Sequence, residues 1–268
     1  LISKYYNPTF IFNTQTNSLN EVAPSEFDAN SSALTALPNG QILSTAWGTS
    51  NASFPEIYSP KTNQWRSLTG AQILSTPANS NESISPNQWV TASGNVFGFT
   101  SNGFGNRLYY IDPIGNGSFT SFPGADWSFF RSRAPETVMF QPGKLYLPRG
   151  SIRGDQPLLI DITRPTPTTD STIKSREYGV SYVENPIILP NGKVLNVAYI
   201  NDREFSGPYR ERLEIWDPVT KNWSEMSPPL VDANNNRLSD ITLMKDGRVY
   251  TEGSYIPTQG FETHAQIF

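Results

Sequence analysis

Aromatic and arginine side chains occur singly at points where short apolar runs of the chain end. They are Trp47, Phe104, Arg149, Arg153, Tyr199, Arg203 and Tyr255, with Arg210 close to Arg203. Aromatic rings stack on the apolar faces of sugars, and guanidinium groups bind carboxylates or phosphates through paired hydrogen bonds. The set predicts a site for a neutral or acidic glycan, or for a partner protein. The alternative is that these rings face solvent one by one or close the end of a channel.

Carboxyl groups in the same regions keep an enzyme open as a second hypothesis. They are Asp126, Asp155, Glu177, Asp202, Glu204 and Glu252. A carboxylate pair, or a tyrosine with an arginine, can cleave a polysaccharide by hydrolysis or elimination. No spaced motif unites these acids, so no catalytic residue is assigned; Glu252 and Asp202 are the first choices. The alternative is that such acids are solvated or hold turns.

Other catalytic classes are disfavoured by residue counts. The chain has no cysteine and one histidine, His264. The absence of cysteine excludes a cysteine nucleophile, a thiolate metal site and a disulfide framework. A Ser-His-acid triad would have to use His264, which falls at the start of the last apolar run and is interpreted as an ordinary strand residue.

Two short matches carry weaker predictions. Asp232, Asn234, Asn236 and Asp240 have the alternate spacing of a calcium loop, in which side-chain oxygens converge on a hard cation. Arg237 stands where such loops favour glycine. Calcium is therefore only a secondary expectation, and no cofactor is otherwise predicted. The tripeptide Arg153-Gly154-Asp155 resembles a cell-adhesion motif, but three common residues meet often by chance.

Composition limits partners and location. The chain has 20 basic and 24 acidic residues, a net charge of -4, so nucleic acid is not an expected partner. No apolar run reaches the roughly 20 residues of a membrane helix, and membrane insertion is not expected. The chain begins at Leu1, which we interpret as a processed or cut terminus. An extracellular location is predicted from the lack of cysteine, the three methionines and five sequons at Asn30, Asn51, Asn81, Asn116 and Asn222.

The elements that position these residues are predicted to be β-strands. Five segments consist of an apolar run, a glycine turn and a second apolar run, with turn glycines Gly40, Gly94, Gly143, Gly192 and Gly247 spaced 54, 49, 49 and 55 residues apart. Asn-Gly and Asp-Gly supply the positive φ angles of tight hairpin turns. Further strand pairs follow, as in 56–65 and 214–223, so each repeat is predicted to contain four antiparallel strands.

The stretches LPNGKVL (189–195) and EIWDPVTKNW (214–223) resemble kelch repeats of galactose-oxidase-like β-propellers, and a period near 50 suits kelch blades. The paired glycines that usually end the second strand are missing: residues 46–47, 100–101, 149–150, 198–199 and 253–254 replace them. The resemblance implies a β-propeller whose site lies on the face formed by the loops after strands two and four. The copper-radical chemistry of the family needs a Tyr-Cys crosslink and two histidines, which this chain lacks.

The whole chain, 1–268, is predicted to be one propeller domain. The repeat units are 29–75, 76–126, 127–175, 176–229 and 230–268, with 1–28 closing the ring. Residues 10–19 align with strands three and four of a unit, and 265–268 with strand three of the fifth. Five blades are favoured, with one strand in surplus, and six are the alternative.

Three functions follow. The first is an extracellular module that binds a glycan or partner protein through the loop-rich face, without catalysis. The second is a carbohydrate-active hydrolase or lyase, and the third is a structural, adhesion or receptor-binding part of a larger assembly.

Overall fold

The computed structural model describes residues 9–25, 33–45, 54–72, 83–102, 105–122, 137–148, 157–170, 180–200, 210–226, 237–255 and 262–267. Every regular element in these ranges is a β-strand, which confirms the predicted all-β class. No helix within the same ranges is long and apolar enough to cross a membrane.

The chain divides into two compact units, Leu1–Pro135 and Glu136–Phe268. The first unit contains a two-stranded hairpin and two four-stranded antiparallel sheets. Its strands are β1 (Phe10–Asn13) and β2 (Ser18–Glu21); β3 (Ala33–Ala36), β4 (Ile42–Thr45), β5 (Glu56–Ser59) and β6 (Gln64–Ser67); β7 (Ser83–Val90), β8 (Val96–Asn102), β9 (Gly105–Asp112) and β10 (Ser118–Phe122).

The second unit contains two four-stranded sheets and one three-stranded sheet. Its strands are β11 (Val138–Gln141), β12 (Lys144–Leu147), β13 (Leu158–Asp161) and β14 (Thr168–Asp170); β15 (Val180–Ile188), β16 (Val194–Ile200), β17 (Arg210–Asp217) and β18 (Asn222–Glu225); β19 (Arg237–Leu243), β20 (Val249–Tyr255) and β21 (Glu262–Ile267). In every sheet, strands that are consecutive in the sequence are neighbours.

The first hairpin of each of the five larger sheets turns at the glycine that the sequence indicated. All five glycines have positive φ angles: Gly40 80°, Gly94 88°, Gly143 71°, Gly192 79° and Gly247 86°. These values lie in the region that side chains with a Cβ rarely adopt. The predicted pattern of a strand, a glycine turn and a second strand is therefore confirmed.

The turn from the third to the fourth strand is also repeated. The Asp217 carboxylate accepts hydrogen bonds from the backbone N–H groups of Val219 and Thr220, and Asn13 does the same for Gln15 and Thr16. Asn17 and Lys221, each four residues after that side chain, have φ angles of 52° and 55°. The β1–β2 hairpin thus has the geometry of a third and fourth strand, as its sequence predicted.

In two of the sheets, a lysine next to the glycine turn pairs with the aspartate at the turn between the third and fourth strands. Lys144 at the start of β12 pairs with Asp161 at the end of β13, and Lys193 Nζ lies 3.1 Å from Asp217 Oδ2 at the equivalent position of the next sheet. Burial alone raises the pKa of Asp161, but hydrogen bonds from Lys144 and Thr163 outweigh it and lower the pKa to about 2.

This pair predicts a pH dependence of stability. The pKa of Asp161 is about 2 in the folded chain against an ordinary 3.8, so the unfolded chain binds more protons between these values. The free energy of unfolding should rise by about 1 kcal/mol as pH increases from about 2 to about 4, after allowance for solvent screening. Urea titrations at several pH values should show this increment in the wild type and a smaller one in Asp161→Asn; equal increments would contradict the assignment.

Sheets pack face to face through apolar and aromatic side chains. In the first unit, Leu43 and Ile57 of one sheet pack with Val96, Tyr109 and Ile111 of the next. In the second unit, Tyr146 stacks on Trp216 at 4.6 Å between ring centroids. A separate cluster joins the sheet β15–β18 to the sheet β19–β21 and contains Leu195, Val197, Leu213, Ile241 and Val249.

The outer strand of one sheet also holds the turn of the next. Arg66 of β6 donates to the carbonyls of Pro113, at 2.7 Å, and Gly115. Lys221 Nζ lies 2.8 Å from Asp170 Oδ2 at the end of β14. These contacts fix the lateral position of neighbouring sheets within each unit.

One glycine is required for close packing. A Cβ at Gly98 on β8 would overlap the Tyr109 hydroxyl, because the Tyr109 ring lies across β8 at that residue. Gly98→Ala should lower the free energy of unfolding by about 2 kcal/mol, as overpacking does. In a Tyr109→Leu background the same change should cost less, because leucine lacks all three atoms nearest to the added Cβ, Oη, Cζ and Cε2 of Tyr109. Urea denaturation of the four proteins measures this coupling, and equal costs in both backgrounds would contradict it.

Candidate functional site

Each sheet has two different ends. One end carries the glycine turn and the third-to-fourth strand turn. The other, here called the loop-bearing end, is where the second strand finishes and the third begins; in the five sheets it follows Thr45, Asn102, Leu147, Ile200 and Tyr255. All seven predicted binding residues lie at or just after these positions in the sequence.

Five predicted binding residues lie outside the described residues. These are Trp47, Phe104, Arg149, Arg153 and Arg203. The other two are strand residues: Tyr199 is the penultimate residue of β16, and Tyr255 is the last residue of β20. Among the predicted acids, only Glu252 falls in a described range, on β20.

The register around Tyr199 brings together residues that the sequence did not connect. Tyr199 is opposite Tyr182 of β15 on one side and opposite Glu211 of β17 on the other. The next pair toward the loops joins Ile200 to Arg210. Residues directly opposite in antiparallel strands share a face of the sheet. Two tyrosines and a glutamate therefore form one row across the loop-bearing end of this sheet, here called the Tyr199 row.

The Tyr199 row depends on a β-bulge. Regular pairing from the glycine turn, continued from the pair Ile187 and Leu195, would place Tyr199 opposite Val183. A register shift between Glu184 and Ile187 instead places it opposite Tyr182. A shift of one residue changes the face on which every later side chain lies. Sequence pairing rules without the bulge would therefore put Tyr182 on the wrong face.

Two acids are opposite each other in the last sheet. Asp240 of β19 pairs in register with Glu252 of β20, while His264 of β21 pairs with Gly253. Like charges directly opposite are unfavourable unless a proton or a cation is shared between them. In the sequence analysis Asp240 was a secondary calcium candidate and Glu252 a first choice among the acids, and the two were not connected.

Metal sites find no further support in the described ranges. Asp232, Asn234 and Asn236 of the predicted calcium loop lie outside them. Among described residues, no group of three or more His, Cys, Asp or Glu side chains is arranged to hold a metal ion.

A polar cluster joins the first two sheets directly below one of the loops. Gln88 Nε2 donates to Thr45 Oγ1 and to Tyr109 Oη, both at 2.8 Å, and Gln88 Oε1 accepts from Thr35 Oγ1 at 2.7 Å. Thr45 and Tyr109 are fully buried. Burial raises the pKa of Tyr109, with the hydrogen bond from Gln88 acting the other way, so its hydroxyl stays neutral. Thr45 is the last residue of β4, two residues before Trp47 in the sequence.

The second unit has a buried polar pair between its first two sheets. Asn196 Nδ2 of β16 lies 3.4 Å from the hydroxyl of Tyr146 on β12. Asn196, Tyr146 and Glu214, the register partner of Asn196, are all at most 1% exposed. This pair connects sheet β11–β14 to sheet β15–β18, whose loop-bearing end carries the Tyr199 row.

The polar cluster in the first unit gives a stability prediction. Gln88→Leu should lower the free energy of unfolding by about 2 kcal/mol, because the hydroxyls of Thr35, Thr45 and Tyr109 lose their partner in a buried setting. Gln64→Leu on the exposed face of β6 is the matched control and should change it by less than about 0.5 kcal/mol. Urea midpoints compare the two. A Gln88→Leu protein as stable as the control would show that the cluster does not hold the sheets together.

Comparisons with known proteins find the fold but no family. No family model matches the chain, and neither does a curated protein. A fungal alcohol oxidase of the AA5 family, solved with copper, matches with a TM-score of 0.62 and 16% identity over 92% of this chain and 54% of that one. The chain thus spans about half the length of this oxidase.

Two further solved structures match over more of their length. YjhT has a TM-score of 0.53 and 11% identity, with 96% of this chain and 90% of that chain covered. A protein from Bacteroides fragilis assigned as a 6-phosphogluconolactonase has a TM-score of 0.55 and 9% identity, with 96% and 75% covered. At such low identity these likenesses show the fold alone. The chain is a β-propeller-like protein with a galactose-oxidase-like structural neighbour.

The copper of the oxidase has no matching ligand set in this chain. Copper sites in proteins are built mainly from histidine and sulfur ligands, and the whole sequence contains one histidine and no cysteine. The residues of this chain therefore do not supply the ligands of that copper centre.

Proposed function

We propose that this protein is a glycan-binding module, built as a β-propeller of divergent kelch-like blades, whose loop-bearing ends form the binding face. The observation that carries the proposal is the Tyr199 row, in which Tyr182 and Tyr199 are neighbours on one face at the end of their sheet. Neighbouring tyrosines present ring surface and hydroxyl groups together, which suits a sugar with apolar faces and a hydroxylated rim.

An acid in the row supports specificity for hydroxylated sugars. Glu211 is in register with Tyr199, and a carboxylate accepts hydrogen bonds from sugar hydroxyls. The other proposed binding residues are Trp47, Phe104, Arg149, Arg153, Arg203 and the strand residue Tyr255.

We also propose an extracellular location, with no nucleic-acid partner and no membrane insertion. Among the five sequons, Asn116 and Asn222 lie in described, exposed positions at the turn-bearing ends of their sheets. N-linked sugars there would be at the opposite end of each sheet from the proposed binding residues, and would leave them accessible.

The blade count is part of the proposal, with five blades favoured and six the alternative. The β1–β2 hairpin has the turn geometry of a third and fourth strand, which supports the alternative of six.

A carbohydrate-active enzyme is the second candidate, on a specific observation. Asp240 and Glu252 are opposite each other in register. Hydrolysis of a glycosidic bond needs two carboxyl groups, one as acid and one as base or nucleophile.

A glycan array tests both candidates. The wild type should retain a subset of probes, and Tyr199→Ala and Trp47→Ala should each weaken retention at least about tenfold through loss of stacking area. Val219→Ala, an exposed apolar residue at the turn-bearing end, is the matched control and should bind as the wild type does.

The same array distinguishes the alternatives. Cleaved probes whose release stops in Glu252→Gln would establish the enzyme instead. Retention unaffected by Tyr199→Ala and Trp47→Ala would contradict the proposed face, and no retention of any probe would favour a protein partner.

A further inference from the structure

Two buried polar atoms of the sheet β15–β18 have no hydrogen-bond partner among the described residues. They are Oδ1 of Asn196 on β16 and Nε1 of Trp216 on β17. Both residues are 0% exposed. An amide oxygen or an indole N–H that is buried without a partner loses its hydration and gains nothing, so native structures almost always supply a partner from protein or water.

The strand register places these two side chains close together. Trp216 is opposite Val194, and Asn196 lies two residues further along β16, so both side chains are on the same face of the sheet. Such diagonal neighbours have Cα atoms roughly 7 to 8 Å apart. A single water that bonds to both polar atoms spans about 5.6 Å, twice the length of an ordinary hydrogen bond, and this suits the separation of the two strand positions.

Tyr146 of the neighbouring sheet contacts both residues. Its ring stacks on Trp216 with 4.6 Å between ring centroids, and its hydroxyl lies 3.4 Å from Asn196 Nδ2. The other branch of the amide, Oδ1, is left as an acceptor. Glu214 is opposite Asn196 and 1% exposed, and it places a carboxylate in the same row. The interface between the two sheets is therefore polar at this level, which is the condition for a buried water.

The first unit satisfies comparable groups with protein atoms. Gln88, whose amide also lies between two sheets, bonds through both Nε2 and Oε1 to three hydroxyl groups of that unit. Tyr58, the counterpart of Trp216 in its sheet, donates its hydroxyl to Asn63 Oδ1 at 3.0 Å. Within the described ranges, no side chain does the same for Asn196 Oδ1 or Trp216 Nε1. Water is small enough to be buried there, and it can accept from an N–H and donate to a carbonyl at the same time.

We infer that an internal water is bound between Asn196 and Trp216, where it accepts from Nε1 and donates to Oδ1. It joins β16 to β17 on the face that packs against the sheet β11–β14, and it completes the polar contact between Asn196 and Tyr146. This hydration site belongs to the folded structure and does not depend on glycan binding.

Nuclear Overhauser spectroscopy of the intact, isotopically labelled protein tests the site. The Trp216 indole N–H should give a cross-relaxation peak to water with the sign of a long-lived complex. The Trp65 indole N–H bonds to the Ala23 carbonyl at 2.7 Å and, as the internal control, should give no such peak. Asn196→Leu should reduce the Trp216 peak at least about fivefold, because the water loses its acceptor. Asn222→Leu, an exposed position on the outer strand of the same sheet, should leave the peak unchanged.

A crystal structure of the wild type at atomic resolution keeps the test independent of any variant that fails to fold. It should show one water within about 3.2 Å of both atoms. The absence of that water, a Trp216 indole without the cross-relaxation peak, or a peak unchanged in Asn196→Leu would each overturn the inference. A reversed amide, in which Asn196 Oδ1 accepts from the Tyr146 hydroxyl, would overturn it as well.

Discussion

The packing of a large side chain from the third strand of one sheet against the neighbouring sheet is the contact on which the rest of the structure depends. Trp216 stacks on Tyr146, and Ile57 and Tyr109 meet in the first unit. A β-sheet with an apolar face must bury that face against another element. Each sheet therefore requires a neighbour.

Backbone geometry at the turns keeps these contacts in register. Glycines with positive φ close the first hairpins, and side-chain oxygens of Asn13, Asp112, Asp161 and Asp217 cap the turns after the third strands. Because one end of each sheet is constrained in this way, the repeats of this chain differ from one another in sequence and loop length at the other end. That division places the chemically varied residues on one set of loops, which is the arrangement a binding surface requires.

The fold was more predictable from sequence than the site, for physical reasons. Turn glycines have a local cause, so Gly40, Gly94, Gly143, Gly192 and Gly247 and the strands beside them could be predicted from residue types alone. The alignment of residues 10–19 with the third and fourth strands of a unit was also predicted from sequence, and the turn geometry at Asn13 and Asn17 agrees with it. The Tyr199 row was not predicted, because the bulge between Glu184 and Ile187 shifts the register by one residue. Pro186, which cannot donate to the strand ladder, is the local signal that could have indicated this bulge. The pairing of Asp240 with Glu252 follows from the regular register counted outward from the Gly247 turn, so it could have been predicted. The contacts of Gln88 arise from tertiary structure and have no spacing rule.

The central claim is that ligand binds at the loop-bearing ends of the sheets. Photo-crosslinking with a diazirine-bearing glycan retained by the protein, followed by peptide mapping, tests it most directly. We expect crosslinks within 46–53, 103–104, 149–156 or 201–209, or at Tyr182 or Tyr199. Crosslinks confined to the opposite ends, at 113–117 or 218–221, would contradict it.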